Sequence, residues 1–334
     1  MLITVISILP APNFSASIQR RFIYHSEIQI MGIGHGYGKV ILFNEHFVVY
    51  GIPAIASAID KRTIAEVKRC QGKSFILHDD REATPGYKEE KADQQKESIE
   101  RIKEAMGIGE CIEIWLHGDL RAASGVGASA ASCAAIARAI ADEFSMSFTD
   151  EEINNFAYEG EKAYHGNPSG IDNTCATFGG LVWFVKGKKM ERLSLPQPVE
   201  IVMGDTGRVA NTKKAVEGVR ERREKYREKY DAIFEEAEKI AHDARDALLA
   251  GKWEDVGKLM NENHKLLQEI EVSSPELDYL VEMAMKNGAY GAKMTGGGLG
   301  GYMVALTPGR ELQEKVARAM EKEGFYALRT KIGI

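Results

Sequence analysis

From Gly38 onward, apolar and polar positions alternate in short runs: KVILF, AIASAI, TIAEVKRC and SFILHD follow one another with the period of two that strands require. They predict the start of an antiparallel sheet. Residues 79–98 are polar and turn-rich before becoming helix-compatible, which predicts a surface loop entering a helix at ESIERIKEAMGI. CIEIWLHGDL alternates again as a strand, and after a Gly/Ser/Ala run AASCAAIARAIADEF has the small-residue spacing of a buried helix. TDEEINNFAYEGEKAYH opens with Thr149 and Glu152 in capping-box spacing, so a helix follows. Strands are predicted in GGLVWFV and VEIVMGDTG, a solvated helical face from Lys213 to about Leu249, and helices near 252–270 and 275–287. A second glycine-rich turn, in YGAKMTGGGLGG, precedes the strand YMVAL.

The chain has 334 residues, which is enough for about two domains, and we divide it into residues 31–200 and 201–334. Its 44% hydrophobic and 28% charged residues are ordinary for a globular protein. A formal net charge of −6 argues against a nucleic-acid or membrane partner, although a local basic pocket could still take one polyphosphate. The expected partner is therefore a small molecule. Cys70, Cys111, Cys133 and Cys175 form no C-x-x-C pair, so reduced thiols and a cytoplasmic location are expected. The apolar start MLITVISILPAP lacks a basic leader, is broken by Pro10 and is too short to span a bilayer. Met31 directly precedes GIGHGYGK, and residues 1–30 are expected to be a disordered extension or a start-site artefact.

Three motifs carry chemistry. SGVGASA places Gly125, Gly127 and Ser129 at a helix start, where free N–H groups and the helix dipole favour an anion. Taken alone it is also compatible with a dinucleotide fingerprint or with close packing. The turn does not directly follow its strand, as a Rossmann turn would, and no Walker A sequence exists in the chain. HGNPSGIDN sets Asp172 after a Pro/Gly turn, where a lone aspartate is usually a turn or cap residue. GYGKVILFNEHFVVYG gathers Lys39, Glu45 and His46 around an apolar strand, and singly these would be an edge lysine and a structural histidine. Together the motifs supply what phosphoryl transfer needs: a charge clamp, a metal anchor and a group that orients the nucleophile.

With KMTGGGLGG at residues 293–301, the set resembles the GHMP kinase superfamily in order over roughly residues 32–330. Within it, the opening motif and EKAYHGNPSGIDNTCATFGG resemble the mevalonate kinase family, in a form similar to its trypanosomatid-type subgroup. The resemblance implies an α+β fold of two domains, an N-terminal one like ribosomal protein S5 domain 2 and a ferredoxin-like C-terminal one, with the active site in the cleft between. It implies direct in-line transfer from ATP to the 5-hydroxyl of (R)-mevalonate. Asp172 would accept or orient the hydroxyl proton, and Lys39 would neutralise charge on the transferring group. Ser124, Gly125, Val126, Gly127, Ala128, Ser129 and Ala130 would cradle ATP, with Ser129 and Glu161 as magnesium ligands. Thr212 would support the aspartate and lysine, Glu45 and His46 would line the mevalonate site, and Gly296 would shape the cleft. A homodimer is compatible with this picture.

Tyr37, Asn44, Ala128, Gly297 and Leu299 depart from the usual pattern, Asn44 and Leu299 standing where glycine is usual. The rival expectations are another kinase of the superfamily, for a sugar, homoserine or phosphomevalonate, a silent metabolite-binding homologue, and a dinucleotide-dependent oxidoreductase.

Overall fold

Three glycines at alternate positions, Gly32, Gly34 and Gly36, make one face of the first strand bare, and the alanine-rich helix after the SGVGASA turn lies directly on it. A Cβ on any of the three would overlap the backbone at Ala131, Ala135 or Ala139, residues four apart on one face of that helix. Strand β1 therefore runs Gly32–Phe43, beginning six residues before the apolar pattern announces it. The computed structural model describes residues 31–334 apart from Lys73, Ser124 and Asn167. The expectation for residues 1–30 and the role expected of Ser124 lie outside the described residues.

A 3-10 turn at Phe47–Tyr50 leads to β2 (Ala54–Cys70), followed by β3 (Phe75–Asp79), α1 (Tyr87–Ala105) and β4 (Cys111–Gly118). Next come α2 (Ala128–Glu143), α3 (Asp150–His165), α4 (Ile171–Phe178), β5 (Leu181–Phe184), β6 (Glu191–Leu193) and β7 (Val199–Asp205). The remainder is α5 (Thr212–Lys225), α6 (Arg227–Leu249), α7 (Trp253–Glu269), α8 (Pro275–Lys286), β8 (Gly291–Met294), β9 (Tyr302–Leu306), α9 (Arg310–Lys322) and β10 (Tyr326–Ile332). The expected loop over residues 79–98 ends early, since α1 begins at Tyr87. The charged stretch after Lys213 is two helices, and α6 buries Tyr230, Phe234, Ala237 and Ile240. Only its outer face is solvated. The capping box at Thr149 and Glu152 forms as expected.

The strands run β3-β4-β2-β10-β7-β9-β8, with β1 and β5 also on β2. Only Ile59 of β2 pairs with β10, through Ile332, so one narrow bridge joins the upstream strands to β7–β10. The antiparallel register of β2 and β4 puts Cys70 opposite Cys111, and their sulfurs are bonded. This corrects the expectation of reduced thiols for that pair, whereas Cys133 and Cys175 are free and buried. Among the described residues, no helix is long and apolar enough to cross a membrane.

Two consequences are testable. A Gly34→Ala variant must push α2 off β1, and overpacking of this kind costs about 1–3 kcal/mol or more. Urea denaturation reads the loss, and an unchanged midpoint would show that the bare glycine face is not needed. His46 and His264 are buried, and burial lowers the pKa of each to about 4. Unfolded, they protonate near pH 6.5. Between those limits the unfolded chain binds more protons, so acidification from about pH 6.5 toward 4 destabilises the fold, by up to about 1.4 kcal/mol per pH unit for each histidine. Denaturation curves across this range should flatten in a His264→Gln variant; an unchanged slope would contradict the assignment.

Candidate active site

A register irregularity in β1 starts the site. Tyr37 pairs with Arg62 but Lys39 with Ala58, and this local shift turns Lys39 inward, where its side chain is only 4% exposed. The Lys39 amide donates to Val126 O at 2.8 Å, tying the strand to the glycine turn. A Cβ at Gly127 would stand 2.7 Å from Lys39 Cγ, so this close approach needs glycine, and so does the φ of 71° at Gly127. Gly127 is the N-cap of α2. No side chain caps that helix and no acidic residue lies in its first turn. The amides of Ala128, Ser129 and Ala130 therefore remain free for an anion. The side chains of Val126, Ala128 and Ala130 are buried, so these residues offer backbone only.

Asp172 stands in the first turn of α4, whose Gly170 N-cap is likewise bare, and the helix end favours its negative charge. Its Oδ1 lies 3.3 Å from Lys39 Nζ. On α3, Glu161 is buried and neither carboxylate oxygen has a hydrogen-bond partner of good geometry. Burial first, and then the charge of Asp172, push its pKa up to about 8, with the Ser129 hydroxyl and Lys39 opposing. An orphaned carboxylate beside a hydroxyl is a fitting donor set for a hard cation. Among the described residues, no group of three or more acidic, histidine or cysteine side chains could hold a metal alone, so an ion there would rely on phosphate oxygens as well.

The other expected residues come from both halves of the chain. Gly296 abuts the glycine turn, since a Cβ on it would lie 2.9 Å from Gly125 Cα. The Thr212 hydroxyl occupies the space a Cβ on Gly297 would need, which explains why glycine stands there in this chain. The Gly297 carbonyl accepts from His46 Nε2 at 3.1 Å, and His46 Nδ1 is left without a partner. Glu45 is 2% exposed and pairs through Oε1 with Lys293 Nζ at 2.5 Å, while its Oε2 is unpartnered. Burial raises the Glu45 pKa and lowers that of Lys293, each opposed by the other's charge. Asn44 adopts φ 68°, the left-handed region that asparagine tolerates better than most residues, and this accounts for its standing where glycine is usual. Leu299, at φ 54°, has no such advantage; its amide donates to Val272 O at 2.9 Å and its half-buried side chain packs on the core.

Several supporting residues were not foreseen. Arg81 is buried, grips Asp79 with two bonds of 2.9 and 2.6 Å, and props the first turn of α2 through Ala128 O and Ser132 Oγ. Asp205 at the end of β7 takes the Thr84 hydroxyl at 2.9 Å, while Thr295 donates to Ile41 O and accepts from Ile41 N. Only Thr295 had a sequence signal, through its place in KMTGGGLGG.

Two helix N-termini, a lysine–aspartate pair and an orphaned carboxylate are the kinds of group that phosphoryl transfer uses. Residues 95–180 match the model of the GHMP kinases N terminal domain, and residues 244–327 match that of GHMP kinases C terminal. The fold is thus the two-domain GHMP kinase fold, as expected. The mevalonate kinase of Pyrococcus furiosus is 35% identical over 317 residues, 88% of this chain and 94% of that one. That of Arabidopsis thaliana is 28% identical over 364 residues, 89% and 96% of the two chains. A solved structure of L. major mevalonate kinase in complex with R-mevalonate superposes with a TM-score of 0.85 at 32% identity, covering 96% of this chain and 98% of that one. The chain belongs to the mevalonate kinase family of the GHMP kinases.

Proposed function

We propose that the chain transfers the γ-phosphoryl group of ATP to the 5-hydroxyl of (R)-mevalonate. The observation that carries this is the Lys39–Asp172 pair, held at 3.3 Å beside the bare N-terminus of α2. ATP phosphates would lie on the free amides of Ala128, Ser129 and Ala130, and Gly125, Val126 and Gly127 keep the approach open. The substrate hydroxyl would face Asp172, which accepts its proton or orients it, while Lys39 balances the growing charge. Ser129 and Glu161 would hold Mg2+, which neutralises phosphate charge when bound. Ala128 leaves Ser129 as the sole hydroxyl of the described loop. Thr212 and Gly296 would hold the downstream wall of the cleft against His46 and the glycine turn. The parts we assign to the two domains are residues 31–200 and 201–334.

Tyr37 and Ala128 support the trypanosomatid-type subgroup, and so does the likeness to the L. major structure. Archaeal sequences at 33–35% identity are as similar, so these two residues carry the subgroup reading. Coupled detection of ADP release over a panel of mevalonate, phosphomevalonate, galactose and homoserine tests the substrate. Mevalonate should be turned over with kcat/KM at least about 100-fold above the others. Preference for any other alcohol, or ligand binding without ADP release, would overturn the proposal.

A further inference from the structure

Three consecutive residues after β1 are each held by the downstream half of the chain. The Asn263 carboxamide of α7 clasps Asn44: Asn263 Nδ2 donates to Asn44 Oδ1 at 2.7 Å, and the backbone N–H of Asn44 donates to Asn263 Oδ1 at 3.2 Å. Asn44 Nδ2 donates to Pro53 O and, across to α6, to Ala237 O, each at 2.8 Å. Glu45 is held by Lys293 of β8 and His46 by the carbonyl of Gly297. Asn44 and His46 both lie in the left-handed region, at φ 68° and 66°, an unfavourable backbone that persists only where surrounding contacts enforce it.

What this produces is chemically specific. With Nε2 donating to Gly297, the neutral His46 ring presents Nδ1 as an acceptor, and Glu45 Oε2 is a second acceptor on the neighbouring residue. Both belong to residues more than nine-tenths buried, and both lack a donor. Buried acceptors without donors are costly, and a ligand bearing hydroxyl groups would satisfy them. We propose that Lys293 and Asn263 are positioning residues that hold Glu45 from the downstream half, so that its Oε2, together with Nδ1 of the His46 ring that Gly297 holds, accepts from hydroxyls of the alcohol substrate. The inference rests on the mevalonate kinase reading above and extends it to two residues outside the expected site.

Lys293 is fully buried, and its Nζ is engaged by Glu45 and by Met294 O. It therefore acts through Glu45: its charge opposes the burial that raises the pKa of that carboxyl group, and its contact fixes Oε1, which leaves Oε2 in one place. Asn263 acts through the backbone, by holding the turn at Asn44 from which Glu45 projects.

The test compares Glu45→Gln, Lys293→Met, the double variant and Asn263→Ala, measuring KM for mevalonate and for ATP, kcat and thermal unfolding. Lys293→Met leaves a buried carboxylate unpaired and should lose stability, and the double variant, which removes both charges, should regain it. Mevalonate KM should rise at least tenfold in each variant, with ATP KM within twofold, and the double variant should be no worse than Glu45→Gln alone. Should Lys293→Met fail to fold, the double variant and Asn263→Ala carry the same comparison. A double variant that regains both stability and wild-type mevalonate KM would reduce Lys293 to a structural tie and overturn the proposal, as would equal increases in KM for both substrates. If the wild-type chain turns over a different alcohol, the function reading fails, and the same KM comparison on that alcohol judges the positioning roles.

Discussion

An Asp172→Asn variant is expected to lose about two to four orders of magnitude in kcat while still binding ATP. Asparagine keeps the size of the side chain and one hydrogen-bond acceptor but cannot take up a proton or carry the charge that faces Lys39 at 3.3 Å. The nucleotide cradle is built separately, from the backbone at the start of α2, so binding of a fluorescent ATP analogue should change little. Single-turnover rates combined with that binding measurement separate the two effects. Near-normal turnover would remove Asp172 from the chemistry.

Gly127→Ala should be almost as damaging, for a geometric reason. At φ 71° an L-residue costs about 1–2 kcal/mol, and the new methyl group would lie 2.7 Å from Lys39 Cγ. Either α2 retreats or Lys39 swings away from Asp172. Misplacement of a reacting group by about 1 Å costs on the order of 100-fold, so kcat/KM should fall by about that much or more. Gly107→Ala is the matched control: Gly107 has φ 72° with no atom within 4 Å of an added Cβ, so it incurs the strain without the clash. Equal losses in the two variants would show that backbone strain, and not the displacement of Lys39, is responsible.

The parts of the fold legible in the sequence are those governed by local rules. The Thr149–Glu152 capping box, the small-residue helix α2 and the alternating strand β4 follow from spacing alone. Strand β1 was hidden at its start because glycine has low strand propensity, although here alternate glycines are what admit α2. Helix α1 starts inside the stretch read as turn-rich and then helix-compatible, and its first residue is hard to place because its first turns are polar, without an apolar stripe. Pairing of Cys70 with Cys111 depends on the register of β2 and β4, which a 41-residue separation does not reveal.

The same division holds for the site. Lys39, Ser129, Glu161 and Asp172 sit in motifs, and the structure brings them together around the start of α2. Lys293 opens the KMTGGGLGG motif, but its pairing with Glu45 spans 248 residues, and Asn263, 219 residues from Asn44, lies in no motif, so only tertiary packing shows these contacts. Asn44 departs from the usual glycine. Its left-handed backbone and filled hydrogen bonds make it a fitted replacement for glycine.

Position-resolved product analysis tests the central claim most directly. The chain would be incubated with ATP, magnesium and (R)-mevalonate and followed by phosphorus NMR. The account predicts a single new phosphomonoester, coupled to the C5 methylene protons and formed one for one with ADP. ADP formed without that ester, or no reaction with mevalonate while another alcohol is phosphorylated, would contradict it.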